Sequence, residues 1–181
     1  VDPSIAKIPP GSGPNQIPVA GYTRVSADGK TVFTVGYDAT AGKSLLSAID
    51  ASTSDAVLGV LDLPDIGVAS FDEKAGDRLY LPSNDLGAKK NVIAVVDVNP
   101  SSPTYLSVIG EITVGEALGD RHGEVSTDGR VAVYPDTCAA CNAVNVIETA
   151  TDSVVTTLTL LGPPAKAVGM VRWPVTATEN H

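Results

Sequence analysis

The chain is poor in the residues that carry most site chemistry. Its 181 residues include two cysteines, two histidines, one methionine, one tryptophan and two phenylalanines. With so few aromatics, the interior must be filled by Val, Ala, Leu and Ile, which favours strands over helices. Basic residues are also scarce, at 12 Lys and Arg against 21 Asp and Glu. The resulting formal charge of −9 repels a phosphate backbone and offers no counterion release, so nucleic acid is not an expected partner. No run approaches the roughly 20 apolar residues that a helix needs to span a bilayer. Val1 opens into folded-looking sequence with no signal-like charged segment, so the chain reads as soluble, with any export signal already removed. What is present is an apolar fraction of 43% with 18% charge, the balance of a globular domain with a real core.

Cut at its Asp-Gly and Gly-Asp turns, the chain falls into similar pieces. The first reads VSADGKTVFTVGY (25–37), SLLSAIDAST (44–53) and AVLGVLDL (56–63). The second reads SFDEKAGDRLYLPSND (70–85), NVIAVVDVNP (91–100) and SVIGEITVG (107–115). The third reads VSTDGRVAVYPD (125–136), NAVNVIETAT (142–151) and SVVTTLTLLG (153–162). Ile49-Asp50, Val96-Asp97 and Ile147-Glu148 each close an apolar segment with an acid, at separations of 47 and 51 residues. A further short strand precedes each turn, over Tyr22–Ser26, Val68–Phe71 and His122–Ser126. Short β-rich segments bounded by Gly, Asp, Asn, Ser and Pro are the mark of an antiparallel meander. Four strands every ~45 to 50 residues is the period of a propeller blade. A sandwich has no reason to repeat one pattern, and a helical solenoid would show a different periodicity.

The expected fold is therefore all-β, a β-propeller of four-stranded antiparallel blades with repeats at about 20–64, 65–115 and 119–162. Residues 5–10 and 167–174 read as single terminal strands, the last of an earlier blade and the first of a further one. Closed propellers need about four to eight blades, so Ile5, Ile8, Val168 and Trp173 are expected interface residues toward other chains or missing blades. Val32, Leu79 and Val131, with Leu46, Ile93 and Val144, fall on matching apolar positions and are expected in the core.

These repeats resemble the YVTN-type family of bacterial and archaeal β-propellers, including surface-layer-like propellers. The likeness is carried best by VSADGKTVFTVGY and NVIETATDSVVTTLTLLG, and is weaker in the second repeat, where GAKK and NPSSPTY lengthen the loops. The resemblance implies a propeller scaffold and leaves activity open, because such repeats host many functions.

Cys138 and Cys141 form CAAC between two strand segments. Asn142 stands where a haem-attachment motif has His, no helix follows as in a thioredoxin site, and two zinc ligands are lacking. The simplest expectation is a local disulfide formed in an oxidising compartment, with free thiols as the alternative. Asp120, Arg121 and His122 in GDRHGE mark a candidate ligand-binding loop, although Tyr22 and the Gly67-Val68 region stand at the matching positions of the other repeats. A structural His122 beside a solvated Asp120–Arg121 pair is the plainer reading. Asp28, Asp50, Asp97 and Asp128 recur at turns, where a carboxylate bonds the backbone. No GxSxG, HExxH, P-loop, GxGxxG or calcium-loop pattern occurs, so no catalytic residues, metal or cofactor are expected. The sequence thus points to a non-enzymatic binding or scaffold module of an exported, periplasmic or cell-surface assembly, with homo-oligomerisation as one route to closure. The alternative is part of a propeller enzyme or electron-transfer subunit whose chemistry lies in other blades.

Overall fold

The computed structural model describes residues 20–159 apart from 27, 39–40, 42, 53–55, 67–71, 75–76, 84–87, 90, 115–122, 127 and 136–142. Within these residues the chain forms twelve strands in three antiparallel sheets. Blade 1 holds β1 (Ala20–Val25), β2 (Thr31–Asp38), β3 (Lys43–Asp50) and β4 (Val57–Pro64). Blade 2 holds β5 (Asp72–Lys74), β6 (Arg78–Pro82), β7 (Val92–Asp97) and β8 (Ser107–Thr113). Blade 3 holds β9 (Glu124–Val125), β10 (Val131–Pro135), β11 (Ala143–Glu148) and β12 (Ser153–Thr159). In every sheet the strand order follows the chain order, which is the up-and-down meander of a propeller blade.

The turn between the first two strands is built identically in blades 1 and 3. Ser26 Oγ donates to Asp28 Oδ1 at 2.7 Å, and that oxygen accepts the Lys30 N–H at 3.0 Å. Ser126, Asp128 and Arg130 repeat this at 2.7 and 3.1 Å. Gly29 and Gly129 adopt φ of 75° and 68°, the left-handed backbone that glycine tolerates best, so the Asp-Gly pair writes the turn into the sequence.

Sheet pairing also repeats. Val32 faces Ile49, Leu79 faces Val96 and Ala132 faces Ile147 across the second and third strands. Each blade then places one register break at the same point between its third and fourth strands. The breaks leave Leu58, Ile109 and Val155 unpaired on the outer strands, where all are exposed. Such bulges twist a sheet edge and weaken it as a template for strand addition.

Two apolar clusters join the blades. Phe33, Val35, Leu46, Ala48 and Leu63 of blade 1 share one with Leu79, Leu81, Ala94 and Val96 of blade 2. Tyr80, Ile93, Val95 and Ile112 of blade 2 share the other with Val125, Ala132, Tyr134 and Ile147 of blade 3. Because side chains alternate along a strand, Leu79 and Leu81 point to blade 1 while Tyr80 points to blade 3. Covered on both faces, every residue of β7 is buried.

This arrangement alters part of the expected core. Leu46, Leu79, Ile93 and Val144 are buried, but Val32 and Val131 are only half-buried. Val131 lies one residue out of register with Leu79, since the partner of Ile147, and hence the counterpart of Leu79, is Ala132. Val32 is in register, but its side of blade 1 points away from blade 2. Among the described residues the first strand of blade 2 is Asp72–Lys74, whose Lys74 pairs with Arg78. Residues 68–71, His122 and the expected terminal strands lie outside the described residues.

Candidate functional site

The two ends of the blades differ in character. At one end, the first turn and the last turn of each blade meet, joined by backbone bonds from Ala51 to Lys30, Val98 to Asp77 and Thr149 to Arg130. Here the recurring acids are engaged. Asp50 accepts the Ser52 N–H at 2.8 Å, and Asp97 accepts the Asn99 N–H at 2.9 Å and the Thr104 hydroxyl at 2.5 Å. Burial pushes the Asp97 carboxyl up, but hydrogen bonds from Ser102, Thr104 and Asn99, helped by the Arg78 charge, more than offset this and hold it below the ordinary 3.8. The hydrogen bonds from Ser26 and Ser126 likewise lower Asp28 and Asp128. An open depression of about 530 Å³ lies here between Asp128, Arg130, Glu148 and Thr149, and it offers no enclosed site.

Gly123 and Pro135 border residues 115–122 and 136–142, and antiparallel β9 and β10 bring both bordering residues to one end of blade 3. Asp120, Arg121, His122, Cys138 and Cys141 themselves fall outside the described residues, as do Ile5, Ile8, Val168 and Trp173. The border is tightly built. A Cβ on Gly123 would stand 2.0 Å from Tyr134 Cδ1 and 2.6 Å from the Val133 carbonyl oxygen, so only glycine lets the chain pass over the Tyr134 ring.

A polar cluster that sequence reasoning missed spans the junction of blades 2 and 3. Asp152, in the turn between β11 and β12, pairs with the Arg78 guanidinium and accepts the Tyr80 hydroxyl proton at 2.7 Å. Arg78 also donates to the Thr149 carbonyl at 3.3 Å. Burial, together with the bond to Asp152, raises the Tyr80 hydroxyl above its usual 10. Asp152 sits at φ of 49° directly before its outer strand, and Leu106 sits at 53° in the same place in blade 2. Each reaches back to the preceding blade, Asp152 to Arg78 and Leu106 to the space above Gly59. The only sequence signal was Arg78, a lone charge at the head of an apolar strand. Among the described residues, no group of three His, Cys, Asp or Glu side chains is placed to hold a metal ion, and no helix is long and apolar enough to cross a membrane.

No protein-family model matches the chain, and no curated protein does. Solved structures do resemble it. A chain of hydrazine synthase from Kuenenia stuttgartiensis aligns with TM-score 0.65 at 20% identity, over 87% of this chain and 42% of that one. A chain of the mitotic checkpoint complex aligns with TM-score 0.60 at 16% identity, over 83% and 40%. The WD40 repeats of RRP9 align with TM-score 0.62 at 13% identity, over 82% and 41%. The described sheets are thus blades of a β-propeller, and the chain spans about two fifths of the propeller-type chains it matches.

Proposed function

We propose that the chain is a binding or scaffold module of propeller type, which recognises a protein or ligand through its blade loops as part of an exported assembly. The observation that supports this most is the use made of the recurring acids: Asp28, Asp50, Asp97 and Asp128 bond their own turns, which is structural work. The blades then serve as a frame, and Asp120, Arg121 and His122, which precede Gly123 in the chain, are the candidate recognition residues. One neighbour comes from a multiprotein complex, which fits a scaffold role. The YVTN-type likeness points the same way, toward surface-layer-like relatives.

Chemical cross-linking of the protein in its native source, read by mass spectrometry, tests this reading. Cross-links to a partner should concentrate at the Gly123–Pro135 end. A variant combining Asp120→Ala, Arg121→Ala and His122→Ala should lose them while keeping its β-sheet circular dichroism. Full retention of the cross-links by that variant, or turnover of a substrate by the chain alone, would overturn it. Export carries its own test. A Cys138–Cys141 disulfide should leave no thiol to alkylate until reductant is added, whereas two thiols free in protein purified without reductant count against it. A second reading, a portion of a propeller enzyme whose chemistry lies in other blades, is favoured by the hydrazine synthase neighbour, of which this chain spans 42%.

A further inference from the structure

Succinimide formation is the chemistry that an Asp-Gly step invites. The chain holds two such steps, Asp28-Gly29 and Asp128-Gly129, and no Asn-Gly. Glycine has no side chain to hinder its amide nitrogen, which can then attack the carboxyl carbon of the aspartate before it. An N–C bond forms, a C–O bond breaks and water leaves, closing a five-membered ring. Water then opens the ring at either carbonyl and yields aspartate again or isoaspartate, whose backbone is longer by one carbon. Both side chains are more than half exposed, at 58% for Asp28 and 59% for Asp128, so burial does not shield either of them.

We propose that the Ser-x-Asp-Gly turn protects these two sites from isoaspartate formation, with the Ser26 and Ser126 hydroxyls as the protecting groups. Both partners in the attack are held. The Gly29 N–H donates to the Ser26 carbonyl at 2.9 Å, and the Gly129 N–H donates to the Ser126 carbonyl at 2.8 Å. Asp28 Oδ1 accepts the Ser26 hydroxyl at 2.7 Å and the Lys30 N–H at 3.0 Å, and Asp128 Oδ1 does the same with Ser126 and Arg130. Each serine oxygen is fixed in turn, accepting the Thr31 N–H at 2.9 Å or the Val131 N–H at 3.1 Å. To meet the glycine nitrogen, the carboxyl must give up two bonds and the glycine a third, so reaction requires the turn to open. The same bonds, the serine one first, hold both carboxyls below the ordinary 3.8 and deplete the neutral acid, the form from which hydroxyl leaves as water. The added backbone carbon of isoaspartate would displace the Lys30 and Arg130 carbonyls, which accept the Ala51 and Thr149 N–H groups and tie the first turn of each blade to its last. Blade 2, where the sequence reads Gly-Asp, has Arg78 after the acid and Lys74 in place of the serine.

Incubation of the full chain at neutral pH in water labelled with heavy oxygen, followed by digestion in ordinary water and mass spectrometry, reads the outcome. Every ring opening leaves label at Asp28 or Asp128, whichever product forms. The folded chain should gain label at both sites at least about tenfold more slowly than the chain unfolded in urea. Ser26→Ala should speed labelling at Asp28 several-fold and leave Asp128 unchanged, and Ser126→Ala should do the converse. Ser26→Thr, which keeps the hydroxyl, should preserve the protection. Equal rates in the folded and unfolded chain, or an alanine variant that changes neither site or both alike, would overturn the proposal. Circular dichroism shows whether each variant keeps its sheets, and the comparison of folded with unfolded chain decides the matter without any variant.

Discussion

Gly123 shows how the absence of one side chain sets a close approach. Gly123→Ala would drive a Cβ to 2.0 Å from the Tyr134 ring and 2.6 Å from a backbone oxygen, neither of which can move freely. A loss of about 2 kcal/mol is expected in urea denaturation. Gly110→Ala is the control, since its nearest neighbour would be Val95 Cβ at 4.0 Å, and equal losses at both sites would refute the packing account. The acids make a second test at this scale. Asp28, Asp97 and Asp128 titrate below 3.8 in the folded chain, so the unfolded chain binds more protons as pH falls. Their contribution is therefore present above the ordinary carboxylate value and lost as pH drops through the folded ones. Tyr80 works in the opposite sense. Its raised value means that stability is full below 10 and declines as pH rises beyond it. Denaturation midpoints should thus form a plateau between these limits, and Ser26→Ala with Ser126→Ala should move the acid edge upward by removing the hydrogen bond that lowers each Asp. The turn acids were legible in the sequence because Asp-x-Lys and Asp-x-Arg contacts are local. The Asp152 contact was not, because it joins residues 74 apart.

The turn before each outer strand decides how one blade grips the last. Asp152 does so with charge and Leu106 with apolar bulk, from the same left-handed position. A double-mutant cycle between Tyr80→Phe and Asp152→Ala should yield a coupling of about 1.5 kcal/mol, as expected for a part-buried hydrogen bond to a charged group. Additive effects would show that the Tyr80–Asp152 bond itself adds nothing to the junction. Within the strands, Leu79→Ala and Ile93→Ala should each cost about 2 to 4 kcal/mol, while Val131→Ala should cost clearly less, since Val131 is only half-buried. Strand identity was readable from Val, Ile, Leu and Thr clusters between turn residues. The register of the third repeat was not, because VAVYP alternates poorly and a slip of one residue moves each side chain to the other face.

At the scale of the whole molecule, protection should follow the stack of blades. Amides of β7, buried along its length and paired on both sides, should exchange slowest in native-state hydrogen exchange, and those of the exposed edge strand β12 much faster. Uniform exchange across the three blades would mean that the stack opens only as a unit. By itself the sequence determined the repeat, the antiparallel meander and the Asp-Gly turns, because each depends on contacts within a few residues or on a pattern recurring about every 50. Only the tertiary structure decided which face of each blade is covered, which acid crosses a junction and where a glycine must admit a ring. Those outcomes turn on which blade stands next to which, and one strand's composition carries no record of its neighbour: Val25 and Val125 each precede a Ser-x-Asp-Gly turn and have opposite fates.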